Sequence, residues 1–151
     1  MSELNGIETP IEQLLPHRPP FLFVEKLVRA DDAGTEGVYT YTPDTWFFKG
    51  HFPTYPVVPG VILVETMAQC GGAGLVATGK VQQGGLFLLI GVDKAKFRRQ
   101  VRPGDTVRLV ITNDKVTSRV AKLSGKCYVG EDLAAEAEFS CMLVPKEKVG
   151  I

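Results

Sequence analysis

The chain has 151 residues, 44% hydrophobic and 23% charged, with a formal net charge of +0. That length holds one domain, 1–151, able to bury a core of its own, and the balance excludes a disordered, collagen-like or coiled-coil chain. A neutral chain also lacks the basic surplus of a dedicated nucleic-acid binder.

Thr9 and Pro10 predict a short helix over 10–15, capped by the threonine and opened by the proline. Pro16, Pro19 and Pro20 stop it. Residues 21–29, rich in aromatic and β-branched side chains, read as a strand. A turn follows at Asp31, Asp32 and Gly34, and a second strand spans 36–42. Residues 44–58 are irregular. Pro59 then opens one long apolar helix reaching about residue 79, interrupted by Glu65 and Gln69, so a buried core helix is expected instead of a membrane span. Gly71, Gly72 and Gly74 each cost that helix about 1 kcal/mol against alanine, so something must approach it closely there. Strands are predicted over 86–92, 105–114, 116–129 and 132–144, with a break near Asn113 and Asp114. In the last, Leu133, Ala135, Ala137, Phe139, Cys141 and Leu143 fall on one face. An apolar helix followed by an antiparallel meander predicts an α+β fold, the sheet wrapped around the helix. Edge-to-edge pairing with a second copy would cover an exposed strand.

Cys70, Cys127 and Cys141 are odd in number and widely spaced, which predicts free thiols in a reducing, cytoplasmic setting. The first residues have neither a basic segment nor an apolar run, so no signal peptide is expected. His17 and His51 with three scattered cysteines show no metal-ligand spacing. The Gly72-Ala73-Gly74 stretch mimics a dinucleotide fingerprint but lies inside a helix, not after a strand. Prolines 53, 56 and 59 have polyproline spacing but are bordered by aromatics. Cys70 with His51 could make a thiol and base, although a cysteine on an apolar helix is usually a small hydrophobe.

The informative stretch is GHFPTYPVVPGVILVETMAQ, residues 50–69. His51 sits in a proline-rigid loop. Glu65 sits among apolar neighbours, where a carboxyl loses hydration and its neutral acid form is favoured. Gln69, at i+4, can hydrogen-bond it. Gly60 opens the helix, and its free N–H at the positive dipole end suits a developing anion. A base, a neutral acid and an anion site are the parts for removing a proton beside a carbonyl.

This stretch resembles the signature of the fatty-acid-synthase 3-hydroxyacyl-acyl-carrier-protein dehydratases, a family with the hot-dog fold. LPHRPPFLFVE at 15–25 is similar to the family's entry motif, and DKAKFRRQVRPGD at 93–105 to a third block, so the likeness spans about residues 9–144. A glutamate at position 65 resembles the Z-type enzyme more than the isomerising A-type. The resemblance implies a hydro-lyase that converts (3R)-3-hydroxyacyl-carrier thioesters to trans-2-enoyl thioesters without a cofactor, in fatty acid biosynthesis or a related acyl or polyene pathway. It makes His51 the base, Glu65 the acid, Gly60 the donor to the thioester carbonyl and Val57 the residue orienting the imidazole. It places the histidine of one subunit against the glutamate of another, in a homodimer or trimer of dimers. The family often has a tyrosine gate after the central helix. Residues 84–90 contain none, so a gate, if there is one, falls to Phe87 or to another residue. His17 is expected to fix the loop around Arg18. Lys94, Lys96, Arg98, Arg99 and Arg102 form a basic run suited to an acidic carrier protein. Two rivals remain open: a thioesterase in which Glu65 activates water, and a non-catalytic carrier-binding subunit.

Overall fold

A helix with three interior glycines is poor by propensity alone, so packing must hold it. The computed structural model describes residues 7–149 and shows how. In chain order the elements are α1 (Ile11–Leu14), β1 (Lys26–Ala30), β2 (Gly34–Thr40), a 3-10 helix (Trp46–Lys49), α2 (Gly60–Ala77), β3 (Leu86–Phe97), β4 (Thr106–Val116), β5 (Val120–Val129) and β6 (Asp132–Val144). The strands form one antiparallel sheet in the order β1-β2-β4-β5-β6-β3.

The sheet wraps around α2, the hot-dog arrangement that the motifs imply. Leu109 and Ile111 of β4, Leu123 and Cys127 of β5, and Ala137 and Phe139 of β6 are buried on its inner face. Fourteen of the 18 residues of α2 are buried too, so a helix apolar enough to cross a membrane is spent on the core. The close approach at its glycines comes from sheet side chains. A Cβ at Gly74 would overlap Thr35, and one at Gly71 would lie 2.6 Å from Leu123. The helix ends in a Schellman pattern: Lys80 N–H donates to the Leu75 carbonyl, and Gly79 takes φ +77°.

Four sequence expectations need correction. Residues 21–25 lie outside the sheet, although the Glu25 N–H bonds to Val38 O. Phe23 N–H donates to Gln69 Oε1, and Phe21 O accepts from Gln69 Nε2, so a helix side chain takes the place of a strand partner. Asn113 and Asp114 mark a bulge inside β4. The turn comes later, where Thr117 N–H meets Val120 O. Pro10, not Thr9, holds the cap position of α1. The third strand runs on to Phe97, with register shifts near Gly91 and after Asp93. At the far end of β6, Ala134 is an extra buried residue at a bulge, and its carbonyl accepts from Arg98 N–H and Arg99 N–H.

Candidate active site

His51 is held from both ends of its loop. Its backbone N–H donates to Phe47 O in the 3-10 helix, whose Phe47 and Phe48 are buried anchors. Val57 N–H donates back to His51 O at 3.0 Å, and the Val57 carbonyl lies 3.0 Å from His51 Nδ1. A carbonyl can only accept, so Nδ1 carries a proton, and in the neutral ring the lone pair sits on Nε2. The ring is stacked on Phe52 at 4.2 Å, and Val58 N–H ties the loop to Val101 O.

Pro59, at the N-cap, supplies no capping side chain. The Gly60 N–H, one of the first four of the helix, therefore has no intrahelical acceptor and sits at the positive dipole end. Gly60, His51, Val57, Phe97 and Val101 line one cavity of about 340 Å³. A Cβ at position 60 would meet the Phe97 ring at 3.0 Å, so glycine keeps this corner open.

Glu65 faces a second, narrow cleft of about 20 Å³ with Ala68, Gln69, Phe87, Leu89, Cys141 and His17. Gln69 Nε2 donates to Glu65 Oε2 at 2.9 Å. The same amide nitrogen donates to Phe21 O, and the amide oxygen accepts from Phe23 N–H. Both of its N–H donors are used and its oxygen is engaged, so the end it presents to Glu65 is determined. Phe87 stands at the position considered for a gate, packed over Gly72, where a Cβ would lie 3.2 Å from its ring. His17 departs from expectation. The loop is fixed by Arg18, whose guanidinium donates to the carbonyls of Leu15, His17 and Glu12. His17 instead puts Nε2 3.5 Å from Glu65 Oε2.

Within one chain, then, His51 and Glu65 line different cavities with no lining residue in common. Both cavities reach β3, one of the sheet's two outer strands: Phe97 belongs to the first, Phe87 and Leu89 to the second. Leu88, Leu89, Ile90, Val92 and Phe97 are exposed on this strand, an apolar edge of the kind that pairs with another chain.

The basic run divides. Arg98 pairs with Glu136 and Arg99 with Asp132, both at 2.6 Å, beside the His51 cavity. Lys94, 3.6 Å from Glu138, and Lys96 line a groove with Ser124 and Lys126 instead. Arg102 lies over the Tyr55 ring at 4.6 Å and donates to its hydroxyl, which holds that phenol below its ordinary pKa.

All three cysteines are free and buried. Burial pushes the Cys127 thiol up to about 12 and the Cys141 thiol up to about 11. Cys70 is fully buried and pushed higher still, the reverse of an activated nucleophile. Among the described residues no group of three His, Cys, Asp or Glu side chains could hold a metal. Sequence reasoning missed Phe97 and Leu89. The signal was an outer strand apolar on successive residues where only one face meets the core.

A family model described as a FabA-like domain matches residues 15–138. The chain is 44% identical over 139 residues to a 3-hydroxyacyl-[acyl-carrier-protein] dehydratase, FabZ, of Desulforamulus reducens, covering 91% of this chain and 94% of that protein. It is 42% identical to the FabZ of Koribacter versatilis, covering 91% and 89%. Among solved structures, the dehydratase heterocomplex ApeI:P from Xenorhabdus doucetiae superposes with a TM-score of 0.77 at 17% identity, over 93% of this chain and 94% of the other.

Proposed function

We infer the mechanism from one premise: the chain belongs to the FabA-like family, and it is a hydro-lyase that dehydrates 3-hydroxyacyl-[acyl-carrier-protein] in fatty acid biosynthesis. The substrate we propose is the (3R)-3-hydroxyacyl thioester, and the product the trans-2-enoyl thioester. Neutral His51 accepts the C2 proton at Nε2. The electron pair of the broken C–H bond becomes the C2–C3 double bond, with transient charge on the thioester oxygen. The Gly60 N–H faces that oxygen, and one such donor contributes about 3–4 kcal/mol to a barrier of this kind. The C3–O bond breaks as protonated Glu65 gives its proton to the leaving hydroxyl, and water departs. Proton transfer from His51 back to Glu65 resets the pair.

The observation that carries this reading is the Nδ1 to Val57 carbonyl contact beside the open helix N-terminus. It turns Nε2 of the imidazole, and not Nδ1, toward the substrate, with the helix N-terminus in the same cavity. The acid comes from a second subunit in our proposal. If β3 pairs antiparallel with its copy about a two-fold axis near Val92, the Phe97 end of one strand meets the Phe87 end of the other. The His51 cavity of each protomer then closes on the Glu65 cleft of its partner. Arg98 and Arg99 rim this site and, with Arg102 nearby in the chain, serve as the carrier's docking margin in our proposal. The cytoplasm suits both the carrier-bound substrate and the three free thiols. Incubation with 3-hydroxyacyl thioesters on carrier protein, followed by mass, tests the activity: loss of one water is expected. Release of free acid instead would mark thioester hydrolysis and overturn the reading.

A further inference from the structure

His17 plays no part in the chemistry above, yet its ring is mostly enclosed and directed at Glu65. Its Nε2 stands 3.5 Å from Glu65 Oε2, and its Nδ1 is buried with no hydrogen-bond partner. A buried nitrogen without a partner is cheaper as a bare lone pair than as an orphaned N–H. The proton therefore belongs on Nε2, facing the carboxyl.

Glu65 Oε2 thus has two donors aimed at it, Gln69 Nε2–H at 2.9 Å and His17 Nε2–H at 3.5 Å. Both are set by one segment. Arg18 clamps the backbone on either side of His17, through the carbonyls of Leu15 and His17. Phe21 and Phe23 fix the direction of the Gln69 amide. With Oε2 accepting from Gln69 and faced by His17, Oε1 is the oxygen left to carry an acidic proton.

We propose that His17 is a positioning residue for Glu65, directing the acid's proton through Oε1 and stabilising the carboxylate left when that proton departs. The inference rests on Glu65 being the acid. At 3.5 Å the contact is longer than a formed hydrogen bond. It shortens as negative charge builds on Glu65, so it is stronger in the transition state than in the ground state and acts on kcat, not KM.

The test compares His17→Leu, His17→Gln and Glu65→Gln on 3-hydroxyacyl carrier thioesters, with folding followed by circular dichroism. His17→Leu removes the donor and should lower kcat by about tenfold to a hundredfold, the worth of a hydrogen bond to a charged group, with KM within about twofold. His17→Gln restores an N–H near the Nε2 position and should recover most of that loss. A His17→Leu kcat within twofold of wild type, or a His17→Gln enzyme as slow as His17→Leu, overturns the proposal. Glu65→Gln separates the two failures. If it stays active, the acid assignment falls. If it is inactive while His17→Leu is not, only the role of His17 falls. Should His17→Leu fail to fold, the ring ¹⁵N shifts of His17 in wild type and Glu65→Gln decide: a positioning contact moves them, and unchanged shifts refute it.

Discussion

Replacing Gln69 with alanine should damage stability and catalysis together, because one amide serves both. Gln69 is 2% exposed. Its loss strands the Phe23 N–H, in a residue only 1% exposed, whose acceptor lies at 2.8 Å. An unmade buried hydrogen bond costs about 1–3 kcal/mol, and the truncated side chain leaves a void beside α2 that adds to it. Phe21 O adds little, since Phe21 is itself exposed and water can reach it. The total is about 2–4 kcal/mol, and at about 2–4 °C per kcal/mol for a chain of this size the melting temperature should fall by roughly 4–16 °C. Thermal unfolding at fixed protein concentration measures it. Steady-state kinetics below the transition should show kcat reduced by about tenfold or more, since Glu65 loses its 2.9 Å donor. A melting temperature within about 2 °C of wild type would refute Gln69 as the pin of residues 21–23. An unchanged kcat in a destabilised variant would refute its hold on Glu65.

Glu65→Gln keeps shape but offers only a weak amide donor, so kcat should fall by about 10²–10⁴ with KM little changed; near-normal kcat would remove Glu65 as the acid. Charge reversal at Arg98 and Arg99 should raise KM for carrier-bound substrate and flatten its salt dependence, with a much smaller effect on a short acyl mimic. An equal loss on both substrates would point to the ion pairs with Glu136 and Asp132 as fold elements instead. The thiols should resist Ellman's reagent at pH 8 in the folded protein and react on unfolding. Thiols ionise near 9.0 when unfolded, whereas burial holds Cys141 near about 11 and Cys127 near about 12. The unfolded state thus carries fewer protons above pH 9, and stability should drop as pH rises from there, by up to about 1.4 kcal/mol per unit for each thiol. A urea midpoint unchanged between pH 8 and 10.5 would contradict this.

Much of the architecture was legible because its signals are local. The apolar run after Pro59 and the period-2 faces of β6 each report one element, and β6 lies at the predicted 132–144. The errors occur where a distant partner decides. Residues 21–23 have strand composition, but Gln69, far along the chain, takes their backbone groups. Phe97 looked like part of a basic run until β6 extended β3 to meet it. The placement of His51, Val57 and Gly60 around one cavity follows from a short segment whose prolines leave little freedom. The separation of His51 from Glu65 was not readable from spacing, because it depends on which cavity each face of α2 meets. Nor was the division of the basic run: the bulges at Gly91 and after Asp93 turn Lys94 and Lys96 away from the cavity that Arg98 and Arg99 border.

The central claim is that His51 of one subunit works with Glu65 of another. His51→Ala and Glu65→Ala proteins, each inactive alone, are mixed in equal amounts, and subunit exchange is verified by native mass spectrometry with a tag on one of them. At full exchange half the dimers are hybrids, and each hybrid carries one intact site and one doubly broken site. Activity should therefore rise from background to about one quarter of wild type per subunit. Hybrids present in that proportion with activity still at background would contradict the shared site.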